Sequence, residues 1–193
     1  MRVIVTGATG FVGGAVADVL AASGHDVLAM ARRPRPAGME HDYVAWDLAS
    51  DEAAPRDLSR YEAVVHAAAN VALWGPDARF RQVTVEGTSR LLRSIDPSAR
   101  LVVIGSSSVY DPNVAHLGVT EAQGPVAAER YLGGYARAKA DQERIVLGAR
   151  PDAVILRPRA VWGPGDTTLL PRVLARIHRG SLALPCRGRL PMS

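Results

Sequence analysis

An α/β fold, with a doubly wound parallel sheet of six strands, is predicted by three observations in this 193-residue sequence. Short apolar runs alternate with helical patterns along most of the chain. The runs are continuous in Val, Ile, Ala and Leu rather than alternating, as strands buried on both faces of a parallel sheet must be. The first run leads directly into glycines at positions 7, 10 and 13. The length suits one domain, or one domain and part of another. With 48% hydrophobic and 22% charged residues, the chain has a globular balance and can bury a core.

The strand candidates, in order, are Arg2–Thr6, Asp26–Ala31, Tyr43–Ala45, Ala63–Ala67, Arg100–Gly105 and Ala153–Leu156. A first helix follows strand one, with Val12, Val16, Val19 and Leu20 as its apolar face and Gly24 where a helix stop belongs. A second carries Phe80, Val83, Gly87 and Leu91 on one face, and a third runs near Tyr135–Leu147, marked by Ala138, Ile145 and Val146. Past the last strand come a turn, Trp162-Gly163-Pro164-Gly165, and one helix pattern at Leu169–Arg179. The tail Leu184–Ser193 has no clear periodicity.

Composition removes several function classes. One cysteine, Cys186, excludes a disulfide framework and a Cys-rich zinc module, and reads as an incidental thiol. His25, His41, His116 and His178 have no metal-ligand spacing, so no metal site is expected. The net charge is +4, but the basic residues are scattered, and the only dense cluster is Arg32-Arg33-Pro34-Arg35. A nucleic-acid binder would present a basic stripe with interleaved aromatics, so no nucleic-acid partner is expected. No apolar run is long enough to span a bilayer, so no membrane partner is expected either. The N-terminal apolar run ending at Ala21-Ala22-Ser23 contains glycines and Asp18, a poor signal-peptide core, which predicts the cytoplasm.

Three motifs carry chemistry. The first is Thr6-Gly7-Ala8-Thr9-Gly10-Phe11-Val12-Gly13. Glycines between a strand and a helix permit a tight turn, let backbone N–H groups approach a pyrophosphate, and leave the helix N-terminus to favour its charge. A Rossmann-like dinucleotide site is the expectation. The second strand then ends beside the adenosine ribose, where an acid would select NAD and an arginine would accommodate NADP. The sequence there is Ala29-Met30-Ala31-Arg32-Arg33, with Arg32 19 residues after Gly13, so NADP(H) is favoured over NAD(H). Asp47, after strand three, is placed either to accept from the adenine amino group or to cap a helix ahead of Asp51-Glu52.

The second motif is Tyr135-x-x-x-Lys139, two residues on one helix face. A phenol with a pKa of about 10 needs roughly 4 kcal/mol to titrate near neutrality. A cation about 4 Å away at an effective dielectric of about 20 supplies that much, so Lys139 is a sufficient cause for activating Tyr135, helped by the positive charge of a nicotinamide. Lys139 is the only lysine among 23 basic residues, which argues that a compact ammonium is needed there. The third motif, Ser106-Ser107-Ser108 at the end of strand five, places hydroxyls at the crevice, where one can donate to a substrate oxygen.

Taken in order, Thr6–Gly13, Asp47-Leu48, His66-Ala67-Ala68-Ala69, Val85-Glu86-Gly87-Thr88, Ser106–Tyr110, Tyr135–Lys139 and Leu156-Arg157-Pro158 resemble the extended short-chain dehydrogenase/reductase family, the NAD(P)-dependent epimerase/dehydratase group. The segment Val71-Ala72-Leu73-Trp74-Gly75-Pro76 is most similar to the branch with 3-beta-hydroxysteroid-dehydrogenase-like proteins and 3-oxoalkanoate or ketone reductases. The resemblance implies an enzyme acting on a small carbonyl or alcohol substrate, with Tyr135 as general acid/base and Lys139 on the nicotinamide ribose. It makes Ser106 the catalytic serine, with Ser107 as the fallback. Gly7, Thr9, Gly10, Phe11, Val12 and Gly13 would hold the pyrophosphate, and Asp47 with Leu48 the adenine. Ala67, Ala68 and Ala69 would line the cofactor, and Pro158 with Val161 would approach the nicotinamide. His66 would cap a strand beside it. Trp74 and Trp162 would line an apolar substrate pocket or pack in the core.

Two departures stand out. Thr84 occupies the place where the family often has Asn, which puts an Asn-linked proton relay and the local helix geometry in question. Only 35 residues follow Pro158, whereas relatives continue into a substrate-binding lobe. The expected organisation is therefore a dinucleotide-binding domain over 1–160 and the start of an incomplete C-terminal lobe over 161–193. Apolar surface left uncovered around Leu169–Ile177 would invite association, a homodimer included. The rivals to a reductase are a non-catalytic dinucleotide sensor and a nucleotide-sugar epimerase or dehydratase.

Overall fold

The apolar runs form β1 (Arg2–Thr6), β2 (Asp26–Ala31), β3 (Asp42–Ala45), β4 (Ala63–His66), β5 (Arg100–Ile104) and β6 (Val154–Leu156) in a computed structural model that describes residues 1–72 and 74–181. Leu73, Cys186 and the tail 184–193 lie outside the described residues. Every strand pairing is parallel, in the order β3-β2-β1-β4-β5-β6. The chain builds outward from β1 through β2 and β3, then crosses back and builds the other way from β4. That reversal sets the C-terminal ends of β1 and β4 side by side and opens a crevice between them. The strands match expectation to within one residue at each end.

The central strands are covered on both faces, which is why they are not amphipathic, whereas the edge strand β6 leaves Val154 and Leu156 about half exposed. Val3 and Val5 of β1, with Val27 and Ala29 of β2, pack on one face; Ile4, Leu28, Met30, Val64, Leu101 and Val103 pack on the other. Each such valine, leucine, isoleucine or methionine, fully buried, contributes about 1.5–3 kcal/mol. Helix α1 (Phe11–Ala22) covers the first face, but not as its apolar pattern predicts. Its buried residues are Gly13 and Ala17, with Val16 and Leu20 partly buried, while Val19 is 66% exposed. Small residues let the helix axis approach the sheet more closely than a valine ridge would, so Val19 turns outward.

The second helix is three segments: α2 (Asp77–Phe80), a π-helical stretch Arg81–Glu86, and α3 (Gly87–Ser94). Phe80, Thr84, Thr88 and Leu91 all face inward along this run. The geometry around Thr84 is thus a π turn rather than a uniform helix. Helix α4 (Gly134–Ala149) packs beside α3, its Val146 in the same core as Leu91. Helix α5 (Leu170–His178) buries no residue, and Leu174 and Ile177 are exposed, as the uncovered apolar surface predicted there requires. No helix among the described residues is long and apolar enough to cross a membrane.

Candidate active site

The turn after β1 is shaped by glycine where the chain leaves no alternative. Gly7 has φ +69°, and a Cβ on it would lie 2.9 Å from the Ala68 backbone nitrogen at the end of β4. A Cβ on Gly13 would lie 2.3 Å from the Gly7 carbonyl oxygen. The first turn of α1 is thus pressed against the glycine turn. Gly10 is the N-cap and has no side chain to satisfy the first N–H groups of the helix, which leaves those donors for an anion.

The crevice above this turn is a cleft of about 650 Å³, within the usual range for a ligand site. One half of its wall is Gly7, Thr9, Gly10, Phe11, Val12 and Gly13. Arg32 and Arg33 at the end of β2, then Asp47 and Leu48 after β3, extend it. Ala67, Ala68 and Ala69 line the middle, and Ser106, Tyr135, Lys139, Pro158 and Val161 form the far half. These residues border a single cleft. Ser107 does not, so of the two serines Ser106 is the one that faces it. No helix follows Asp47 before β4, so it does not cap one; its Oδ1 accepts from the Ala49 N–H at 2.9 Å in a turn, and the residue borders the cleft. Trp74 and Trp162 do not pack in the core, being 87% and 68% exposed, and they lie outside the wall of this cleft.

Ser106 is extended (φ −161°) at the end of β5, and its Oγ accepts from the Ser108 N–H at 3.2 Å. Burial raises the Tyr135 pKa above the usual phenol value, and the neighbouring Ser106 hydroxyl lowers it only in part. This corrects the expected electrostatics: Lys139 alone does not bring Tyr135 towards neutrality. The ammonium is directed elsewhere. Lys139 Nζ donates to the Ile104 carbonyl at 2.7 Å and to Gln142 Oε1 at 3.0 Å. Its own desolvation, partly countered by Glu143, lowers its pKa to about 8.

The rest of the far wall is held by a buried ion pair. Arg157, just after β6, grips Glu143 of α4 with Nη2–Oε2 at 2.8 Å and two further bonds from Nε. It also donates to the Glu121 and Gly124 carbonyls and to the Tyr110 hydroxyl. Pro158 is thereby fixed next to the serine loop, where its carbonyl accepts from the Ser107 N–H at 3.2 Å. Behind the cleft, His66 closes β4 with Nδ1 2.7 Å from Thr6 Oγ1 and Nε2 2.8 Å from Thr88 Oγ1. Burial and the Lys139 charge push its pKa down to about 3, so the imidazole is neutral. Sequence reading missed Gln142, and the cleft residues Asn70 and Arg79 as well. Gln142 stands three residues beyond Lys139 on the same helix, and that spacing was the available signal.

A cradle that only glycine can form, with free helix N-terminal donors, fits a dinucleotide pyrophosphate. Comparison with known proteins agrees. The sequence model of the NAD-dependent epimerase/dehydratase family matches residues 3–190. The chain is 32% identical to a 2-alkyl-3-oxoalkanoate reductase of Stenotrophomonas maltophilia, over 95% of this chain and 58% of that protein. It is 29% identical to a 3-beta-hydroxysteroid dehydrogenase of Mycolicibacterium neoaurum, over 93% of this chain and 52% of that one. A short-chain dehydrogenase/reductase superfamily protein of Agrobacterium tumefaciens, solved with bound NAD, superposes with a TM-score of 0.72 at 27% identity, covering 93% of this chain and 59% of that one. The chain thus spans between half and three-fifths of the length of these relatives. With the sheet order, the glycine turn and the full-length sequence match in agreement, the chain belongs to the NAD-dependent epimerase/dehydratase family.

Proposed function

We propose that this chain is the cofactor-binding and catalytic part of an oxidoreductase that moves a hydride between NADP(H), or less favourably NAD(H), and a carbonyl or alcohol carbon of a small ketone or steroid-like molecule. One observation carries the reading: Ser106, Tyr135 and Lys139 border the same cleft as the glycine turn. The turn and the α1 N-terminus would hold the pyrophosphate, Asp47 and Leu48 the adenine, and Arg32 a 2′-phosphate. Ala67, Ala68 and Ala69 would line the bound dinucleotide, Lys139 would meet the nicotinamide ribose, and Pro158 and Val161 would flank the nicotinamide. The dinucleotide, when bound, supplies or accepts the hydride.

The protein side of the chemistry follows from protonation states. Ser106 would orient the substrate oxygen. Tyr135 is a phenol, neutral at pH 7, and burial raises its pKa further, so it holds the proton that a developing alkoxide needs. Lys139, with a pKa of about 8, is about nine-tenths protonated at pH 7 and supplies a cation at the cleft wall. The preference for NADP(H) rests on Arg32 and on the lack of an acid at the end of β2. A carbonyl substrate is supported by the reductase and dehydrogenase among the relatives.

The test is turnover of a panel of ketones followed by NADPH absorbance, in the parent and in Tyr135→Phe. The reading expects turnover in the parent and a loss of at least about a hundredfold in the variant, the usual worth of a positioned general acid. Equal rates in the two would remove it. A second reading, a dinucleotide binder without turnover, is favoured by the raised Tyr135 and the inward-tethered Lys139; it predicts cofactor binding with no activity in either protein. A nucleotide-sugar epimerase would ignore the ketones and turn over a nucleotide sugar with tightly held NAD.

A further inference from the structure

A buried chain of hydrogen bonds ends on Lys139, and its polarity can be worked out atom by atom. The Thr88 hydroxyl donates to the Thr84 carbonyl at 2.5 Å, so its single hydrogen is committed. Its oxygen must then accept from both other neighbours, Gln142 Nε2 at 2.8 Å and His66 Nε2 at 2.8 Å. His66 therefore carries its hydrogen on Nε2, and Nδ1 accepts from the Thr6 hydroxyl at 2.7 Å. Thr6 Oγ1 in turn accepts from the Ala68 N–H at 3.1 Å, at the edge of the glycine turn. With Gln142 Nε2 committed to Thr88, its Oε1 faces Lys139 as an acceptor. Thr6, His66, Thr88 and Gln142 are all at most 1% exposed, so no water competes for these bonds. Each hydrogen has one place to go.

We infer that Gln142 is a positioning residue for Lys139: its amide, locked from behind by Thr88 and His66, holds the ammonium against the Ile104 carbonyl at the end of β5. Two of the three ammonium N–H groups are used there, and the third is left for the cleft that Lys139 borders. The tether also joins the two halves of the site, because it runs from Lys139 on α4 to Thr6 at the glycine turn. This deepens the proposed function and rests on its reading of Lys139 as a working part of the cleft. The other charged or titratable groups around Lys139 are Glu143 on α4, held by Arg157 after β6, His66 on β4, and Tyr135 one turn back on α4.

The full chain grown with [13C]lysine tests this, because Lys139 is its only lysine and gives a single Cε resonance. That resonance reports the ammonium whether or not any substrate turns over. The parent should titrate near pH 8. Gln142→Met keeps the length and removes the acceptor. Its titration midpoint should fall by about one pH unit or more, since the charged form loses a hydrogen bond. Gln142→Glu places a carboxylate at the same atom, and its midpoint should rise by about one unit or more. Midpoints that stay at the parent value in both folded variants overturn the inference, even if both unfold more easily. If Gln142→Met does not fold, Gln142→Glu decides alone, and a midpoint at or below the parent's overturns it. Failure of the parent to bind any dinucleotide would instead remove the proposed function and leave the Lys139 shifts readable.

Discussion

Replacing Gly13 by alanine tests how the glycine turn is built. The new Cβ would lie 2.3 Å from the Gly7 carbonyl oxygen and 2.7 Å from its carbon, where ordinary contact begins at 3.4 Å. The helix and the turn must therefore part by about 1 Å. Both obstructing atoms are backbone, so no side chain can rotate away. Forcing an extra methyl into such a contact costs about 1–3 kcal/mol, and the better helix propensity of alanine returns about 1. The net loss is about 0–2 kcal/mol. Gly14→Ala is the internal control: it sits next along the same helix and gains the same propensity. Its Cβ lies 3.2 Å from the Ala8 carbonyl oxygen, which asks for only a few tenths of an ångström. Its stability should stay within about 1 kcal/mol of the parent. Urea unfolding followed by circular dichroism gives both values, and calorimetry gives dinucleotide affinity. Parting the turn from α1 should also weaken dinucleotide binding by about tenfold or more, the equivalent of about 1.4 kcal/mol. If Gly13→Ala matched Gly14→Ala in stability and in affinity, the close-approach argument would be refuted.

Two further outcomes follow from the same geometry. His66 titrates at about 3 in the fold against 6.5 in a free chain, so between those values the unfolded chain holds more protons and stability falls as pH drops from 6.5 towards 3. The full shift is worth up to about 5 kcal/mol; His66→Gln should be less stable at pH 7 yet show a shallower loss across that window, and an identical slope would contradict the assignment. Arg32 is exposed at the end of β2 and borders the cleft, so Arg32→Ala should weaken NADPH binding by about tenfold while leaving NADH nearly unchanged; equal effects on the two would remove the argument for a 2′-phosphate contact.

Much of this was legible in the sequence because its signals are local. Buried parallel strands announce themselves as continuous apolar runs, and Gly7, Gly10 and Gly13 sit where a strand must turn into a helix. Tyr135 and Lys139 share a face through helical spacing alone. What escaped depends on partners distant in the chain. Gln142 meets Thr88 across 54 residues, and Thr88 meets His66 across 22, so neither contact has a local pattern. The π turn at Arg81–Glu86 has no signature in the apolar spacing, because Phe80 and Leu91 share a face of a regular α-helix as well. Val19 looked like a core residue because a helical wheel cannot weigh the closer approach that Gly13 and Ala17 allow. The Tyr135 pKa went the other way because coulombic arithmetic between two side chains omits the desolvation of both.

The account stands or falls on a nicotinamide dinucleotide occupying the cleft above the glycine turn. Calorimetric titration of the 193-residue chain with NADPH and NADH separately measures this most directly. The account predicts saturable one-to-one binding of both, tighter for NADPH, and weakened in Gly13→Ala. No heat of binding with either dinucleotide from a chain shown to be folded would contradict it.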